Sequence, residues 1–223
     1  MEILGAIIKG SHFAYTPKEI PQGSGNWKWF HGADYIVKER ALENPLMTKL
    51  IGMYLAEKFS GYGIEVVIGP ELGAIILAHE VASQLTELES PSFQPGLACI
   101  SNIYAEKKDR NLDGSPMVIR RGFDKLVSGR KVLVVEDVLT SGGSVLRVVE
   151  AVKAIGGEVA GVGAICNRGD VLPEAVGNVP IVAIIETRME TYPEDNCPLC
   201  KAGVPINIEY GKGKEWLEKK RSQ

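Results

Sequence analysis

The run Val132-Leu133-Val134-Val135-Glu136-Asp137-Val138-Leu139-Thr140-Ser141-Gly142-Gly143-Ser144 constrains the fold of this chain more than any other stretch. Its four leading aliphatic residues have the pattern of a strand buried on both faces, as in a parallel sheet. Glu136 and Asp137 follow at the expected end of that strand, the edge where open α/β sheets bind ligands. Thr140, Ser141, Gly142, Gly143 and Ser144 then read as a tight turn, and Val145, Leu146, Val148, Val149 and Val152 repeat at helical spacing. Such a turn aims successive backbone N–H groups and hydroxyls at one point before a helix N-terminus, which suits a phosphate monoester. The adjacent carboxylates can accept hydrogen bonds from the two hydroxyls of a ribose. Side by side, the two features make a ribose 5-phosphate site.

This block resembles the phosphoribosyl pyrophosphate (PRPP) signature of the type I phosphoribosyltransferases, and its Glu-Asp order with a hydroxyl-rich Gly-Gly turn is most similar to the orotate branch. The resemblance runs from about Trp27 to Arg188. It implies an enzyme that joins C1 of PRPP to a nucleobase nitrogen, with inversion at C1 and release of pyrophosphate. Orotate is the leading base, giving orotidine 5′-monophosphate. The partners implied are PRPP and a nucleobase, Mg2+ is implied as a cofactor held mainly through PRPP, and a homodimer is implied as the assembly. Glu136, Asp137 and the turn Thr140–Ser144 become PRPP contacts, with Asp137 also counted as catalytic. The alternatives are a purine or other base phosphoribosyltransferase, or a non-catalytic PRPP-sensing regulator.

Three other segments extend the resemblance. Ile68-Gly69-Pro70-Glu71-Leu72-Gly73-Ala74 joins a strand to a helix. It matches the first pyrophosphate loop, in which family members often carry an unusual peptide conformation, so Glu71, Leu72 and Gly73 are expected to meet PRPP. Many orotate enzymes place a lysine in that loop; here Leu72 and Gly73 stand instead, which leaves the contact to backbone N–H groups. Ala105–Pro116 is a long polar stretch, and the run Tyr104–Gly114 resembles the mobile catalytic loop. Its Lys107, Lys108 and Arg110 could fold over a leaving pyrophosphate, while Glu106 replaces a usual cation and Leu112 falls where a histidine is usual. Trp27-Lys28-Trp29-Phe30-His31-Gly32-Ala33-Asp34-Tyr35-Ile36-Val37-Lys38 resembles the hood over the base, with His31, Tyr35 and Lys38 as base contacts. Its Lys28-Trp29-Phe30 departs from the Ser-Gly-basic opening of the orotate enzymes, and Trp27 and Trp29 could equally pack as core. Arg168, in Asn167-Arg168-Gly169, matches a position that contacts the orotate ring substituents.

These segments fit an α/β fold with a doubly wound, mostly parallel sheet. The expected division is residues 1–43 as N-terminal segment and base-binding hood, 44–188 as PRPP-binding core, and 189–223 as a C-terminal extension packed on the core. Strands are expected at Glu65–Gly69, Leu97–Tyr104, Lys131–Glu136, Val159–Cys166 and Ile181–Ile185. Asn44-Pro45 should start a helix bearing Leu46, Leu50, Met53 or Tyr54 and Phe59 at helical spacing, and a second should run from about Gly73 to Leu85.

The chain has 223 residues and a net charge of −3, which argues against a nucleic-acid-binding face. Neither a signal peptide nor a membrane span is expected, and the four cysteines are too few for a disulfide scaffold, so the expected compartment is the cytoplasm. Cys99 and Cys166 lie in apolar runs and are expected to be buried. Cys197-Pro198-Leu199-Cys200 has the spacing of half a zinc site or a thiol redox pair. No histidine lies in that segment, so the expectation is structural or redox-neutral thiols and no protein-held metal.

Overall fold

The computed structural model describes residues 7–19, 26–89, 99–110, 112 and 114–222. They fall into two compact units, one built from residues 1–41 together with 189–223 and the other from 42–188.

The first unit begins with strands β1 (Ile7–Ile8), β2 (Phe13–Glu19), β3 (Trp27–Gly32) and β4 (Tyr35–Ile36), followed by helix α1 (Lys38–Leu42). β1 pairs antiparallel with β4, and β2 with β3. Phe13, Ala14, Tyr15 and Trp29 are buried. Trp27 stays half exposed, so only one of the two tryptophans serves as core.

The second unit carries α2 (Pro45–Phe59), β5 (Val66–Pro70), α3 (Ile75–Glu89), β6 (Ser101–Lys107), β7 (Met117–Val118), α4 (Asp124–Val127), β8 (Lys131–Leu139), α5 (Gly143–Ala154), β9 (Glu158–Asn167) and β10 (Ile181–Glu186). Its six strands form one sheet in the order β10-β9-β8-β5-β6-β7. All neighbours are parallel except β7, which lies antiparallel to β6. This is the doubly wound sheet expected. The expected strand at Leu97–Tyr104 appears as β6, with Leu97 and Ala98 outside the described residues. Val66, Val67, Ile68, Val132, Leu133, Val134 and Val135 are fully buried, as continuous aliphatic runs in a two-sided parallel sheet should be.

The capping expectation for α2 holds: Asn44 Oδ1 accepts from the N–H groups of Leu46 and Met47 at 3.0 and 3.3 Å. Its expected apolar stripe does not all face the core. Leu46, Leu50, Met53 and Tyr54 are exposed, whereas Ile51, Gly52, Leu55, Ala56 and Phe59 are buried. Gly52 sits so close to α3 that a Cβ would come within 2.5 Å of Glu80 Cγ. Small residues set the packed face of α2, and a periodicity count weighted to large side chains misses it.

The C-terminal extension returns to the first unit. Strand β11 (Tyr192–Pro193) adds to β3, giving the sheet order β11-β3-β2. Helices α6 (Pro198–Lys201) and α7 (Gly213–Arg221) follow. Asn207 and Lys212 donate backbone N–H bonds to the carbonyls of His12 and Ala14, and Arg40 Nη2 reaches Tyr210 Oη at 2.7 Å. The two ends of the chain therefore make one body.

Phe59 fills the space above two strand glycines: a Cβ on Gly161 would lie 2.6 Å from its Cε1, and one on Gly163 3.4 Å from its Cε2. Removal of this ring leaves a cavity that those glycines cannot fill. Phe59→Ala should cost about 3–5 kcal/mol, read as a lowered denaturation midpoint. A loss below about 1 kcal/mol would show that the site collapses around the deletion.

Candidate active site

A crevice opens where β5 and β8 part. They pair at Val66↔Val132, Val67↔Leu133 and Ile68↔Val134. Beyond that point β5 continues beside β6 to Pro70↔Ala105, and β8 continues beside β9 to Leu139↔Asn167. In this strand order the winding reverses between β5 and β8, and ligands of open α/β sheets sit at such a reversal, outside the carboxyl ends of the strands. The expected pyrophosphate turn leaves β5 here, and the acid pair with its phosphate turn leaves β8.

The strand expected to stop at Glu136 runs on to Leu139, because β9 keeps supplying ladder partners. Glu136 and Asp137 thus belong to the strand and are nearly buried. The backbone N–H of Asp137 donates to Glu136 Oε1 at 3.1 Å, and that of Val138 to Asp137 Oδ1 at 2.6 Å. These bonds orient both carboxylates on a rigid element.

Thr140, Ser141, Gly142, Gly143 and Ser144 then line a recess of about 120 Å³, with Glu136 and Val145 in its wall. Gly142 caps α5 at φ 75°, and a Cβ there would meet Val176 Cγ1 at 2.9 Å and Val171 Cγ1 at 3.0 Å. Only glycine meets both demands. The first N–H groups of α5 lack helical partners, and the residues that carry them, Gly143, Ser144 and Val145, line the recess. Phosphate oxygens suit such a cluster of donors.

Asn167-Arg168-Gly169 closes against the turn more tightly than its sequence suggests. A Cβ on Gly169 would fall 1.8 Å from the Thr140 carbonyl oxygen. The Arg168 N–H donates to Leu139 O at 3.0 Å and its Nε–H to Thr140 Oγ1 at 3.0 Å. Buried Asn167 fixes the loop by bonding the Val171 N–H and carbonyl at 2.9 and 3.1 Å. Arg168 is therefore brought to the Thr140–Ser144 turn, on the carboxyl edge of the same sheet.

At the first turn the Glu71–Leu72 peptide is cis, Leu72 is 79% exposed, and the Glu71 N–H donates to Ala105 O. The Glu71 side chain, expected to meet PRPP, is turned to the neighbouring loop. It accepts from the Lys107 N–H at 3.1 Å and from Arg110 Nη2 at 2.9 Å.

The stretch expected to be a structureless mobile loop is in part regular. Ala105, Glu106 and Lys107 complete β6, and Glu106↔Val118 and Lys107↔Met117 form a hairpin with β7. Lys108 N–H donates to Pro116 O, and Asp109 N–H to Ser115 Oγ. Asn111 and Asp113 lie outside the described residues. Glu106, at a position where a cation was expected, instead pairs with two arginines: Arg121 Nε at 2.7 Å and Arg110 Nη2 at 3.6 Å. The Arg121 hydrogen bond holds the Glu106 carboxyl below its ordinary pKa, against the opposing effect of burial. Arg121 carried no sequence signal that would have picked it out.

The other expected base contacts lie in the first unit. Tyr35 packs among Phe13 and Tyr15, with ring centroids 5.3 and 6.0 Å away, and half-buried Lys38 opens α1. His31 is fully buried. Its Nδ1 lies 3.1 Å from His12 Nε2 and 3.2 Å from Cys200 Sγ, so this ring faces a histidine–cysteine cluster and not a ligand. Cys166 is buried as expected, and burial raises its thiol pKa to about 11; Cys99 is exposed, contrary to expectation.

Gly169→Ala should move the Arg168 segment off Thr140 and distort the recess. Inorganic phosphate should then bind at least tenfold more weakly by calorimetry, about 1.4 kcal/mol. Unchanged affinity would show that the turn keeps its shape without this close approach.

Comparison with known proteins bears on this geometry. A phosphoribosyl transferase domain model matches residues 39–185. The orotate phosphoribosyltransferase of Caldanaerobacter subterraneus subsp. tengcongensis is 40% identical over 176 residues, 79% of this chain and 82% of the relative. That of Thermoanaerobacter sp. is 37% identical over 203 residues, 91% and 90% of the two chains. Among solved structures, the Mycobacterium tuberculosis H37Rv orotate phosphoribosyltransferase in complex with inorganic phosphate superposes with a TM-score of 0.51 at 29% identity, covering 69% of this chain and 78% of the other. A phosphoribosyltransferase from Corynebacterium diphtheriae gives 0.54 at 25% identity, over 69% and 83%.

Proposed function

The chain belongs to the phosphoribosyltransferase family, and from that premise we propose that it transfers the ribose 5-phosphate of PRPP to orotate, releasing pyrophosphate and giving orotidine 5′-monophosphate. One observation carries the reading: a phosphate-sized recess at the N-terminus of α5 stands beside two oriented carboxylates at the reversal of the sheet. The 5′-phosphate occupies the recess, and Glu136 and Asp137 accept the ribose hydroxyls. The C1–oxygen bond to pyrophosphate breaks with its electron pair leaving on the pyrophosphate. A ring nitrogen of orotate, its proton lost to solvent, attacks the opposite face of C1. Positive charge builds on the ribose ring in between, and the buried carboxylates stabilise it through the hydroxyls they hold. Positioning supplies the rest.

Mg2+ fits this donor set. Glu136 and Asp137 offer hard carboxylate oxygens that would help hold it, and a cation bound mainly through PRPP oxygens and water would neutralise charge on the leaving pyrophosphate. Arg168 answers the carboxylate of orotate: it is a cation beside the phosphate turn, and adenine and hypoxanthine carry no anionic group for it to meet. The exposed apolar face of α2, Leu46, Leu50, Met53 and Tyr54, suits a subunit contact and supports a homodimer. All four cysteines are free, which supports a reducing cytoplasm, and among the described residues no helix is long and apolar enough to cross a membrane.

With PRPP and Mg2+, pyrophosphate should be released with orotate. Asp137→Asn should lower kcat/KM for PRPP at least tenfold, about 1.4 kcal/mol, with little change in Tm. Arg168→Ala should lower kcat/KM for orotate at least tenfold. Release with a purine and none with orotate overturns the choice of base; no release with any base overturns the activity.

Lys107, Lys108 and Arg110 are the cations of the hairpin loop, and in a dimer we assign Lys107 to the partner's pyrophosphate. Mixing inactive Lys107→Ala with inactive Asp137→Asn should then restore partial activity through hybrid dimers. No rescue after confirmed subunit exchange would confine the loop to its own site.

A further inference from the structure

We propose that His12, His31, Cys197 and Cys200 form a structural zinc site that ties the N-terminal segment to the C-terminal segment.

The sequence places these residues apart, and a search of the Cys197 segment alone finds no further ligand. The fold supplies them. β3 is the central strand of β11-β3-β2 and carries His31 opposite Ala14 on one side and Tyr192 on the other. His12 immediately precedes β2, and the cysteine pair follows β11 after a single 3-10 turn, Glu194–Asn196. Cys197 caps α6 and Cys200 lies within it, with Pro198 at the first helical position. Four ligand atoms, one from each residue, lie within 4.8 Å of one another.

Their spacing is that of a tetrahedral cage. With metal–nitrogen bonds of about 2.0–2.1 Å and metal–sulfur bonds of about 2.3 Å, tetrahedral angles put two nitrogens about 3.3 Å apart and nitrogen and sulfur about 3.6 Å apart. His12 Nε2 lies 3.1 Å from His31 Nδ1, 3.8 Å from Cys197 Sγ and 3.7 Å from Cys200 Sγ, and His31 Nδ1 lies 3.2 Å from Cys200 Sγ. These four separations lie within about 0.4 Å of the bonded spacing, and the remaining pairs lie within 4.8 Å.

The surroundings fit the same assignment. His12 Nδ1 lies 2.7 Å from the Val204 carbonyl, which accepts a hydrogen bond and so fixes the proton on Nδ1. Nε2 then turns a bare lone pair into the cluster, as a ligating histidine does when its second nitrogen is held by a carbonyl. Two thiolates and two neutral imidazoles balance a dipositive ion, so the site carries no net charge into an interior where His12, His31 and Cys197 are at least 98% buried. Binding releases the two thiol protons to solvent. Trp216 packs edge-on against His31 at 5.0 Å, and four protein ligands leave no open position, which marks the site as structural and not catalytic. Two sulfurs with two imidazoles in tetrahedral array select zinc over harder divalent ions.

A unit of two short segments also has use for such a clamp. Below roughly 70–80 residues a hydrophobic core alone gives little stability, and structural metals are a common remedy. The unit 1–41 with 189–223 is of that size, and His12 and Cys200 lie one in each of its two segments.

The test is the metal content of the full chain purified without chelators. Close to one zinc per chain is expected in the wild type and in His79→Ala, whose histidine is exposed and outside the cluster. Cys197→Ser with Cys200→Ser, and separately His12→Ala, should hold less than one tenth of that. Should those variants fail to fold, wild-type protein reloaded with cobalt should show the intense visible bands of tetrahedral sulfur ligation, and two thiols should become reactive only after chelation. Chelation should also lower the melting temperature. Zinc well below stoichiometry after equilibration with the metal, zinc retained by the cysteine variant, a six-coordinate cobalt spectrum, or a Cys197–Cys200 disulfide would each overturn the proposal. The readout is independent of catalysis, so the outcome separates from that of the transferase reading.

Discussion

The parting of β5 from β8 after Ile68 and Val134 is the constraint on which the candidate site depends. Up to that point both strands are fully buried aliphatic runs. After it, each is held only on its outer side, by β6 or by β9. The backbone groups that face the gap need other partners, since unpaired buried N–H and C=O groups are costly. The turn beyond each strand opens onto this gap, and on the proposed reading its backbone N–H groups would meet a phosphate or pyrophosphate. On that reading, the strand order makes the anion-binding crevice before any side chain is considered, and Glu136, Asp137 and Arg168 would add specificity to it.

On the proposed reading, the charge pairs around the first turn are ones a ligand would exchange. Glu71 and Glu106 hold Arg110 and Arg121; the Arg110 side chain is 68% exposed, whereas the carboxylates it meets are 10% and 8% exposed. On that reading, a pyrophosphate bearing several negative charges would compete for that arginine from its exposed side. The β6–β7 hairpin supplies the rigid base and the exposed arginine the movable end, so Glu106 is a holding point for the cations and not merely a missing one.

Legibility in the sequence followed how local each determinant is. The buried strands could be read because four aliphatic residues in a row have few other uses, and the cap of α2 because Asn44-Pro45 acts within one turn. Non-local determinants could not be read. The extension of β8 to Leu139 depends on ladder partners in β9, and the packed face of α2 depends on Gly52 meeting Glu80. The part played by Gly169 appears only when Thr140 lies against it. Arg121 and His12 were invisible for the same reason: each acts through a partner on another element, and neither sits in a pattern.

The cysteine pair shows how such a gap closes. Two thiols at a helix N-terminus are ambiguous alone, and their meaning depends on what antiparallel pairing brings beside them. β3 sits between strands from opposite ends of the chain, so a residue on it is the natural meeting point for ligands from both. His31 occupies that point, fully buried at a place where a ring serving only as core would be more stably a phenylalanine, since its Nε2 lacks a hydrogen-bond partner among the described residues. A buried polar atom without a partner is a standing cost in stability. The cost is offset if the other nitrogen of the same ring holds a metal whose removal would loosen the ends of the chain, which gives a physical reason for histidine at this position.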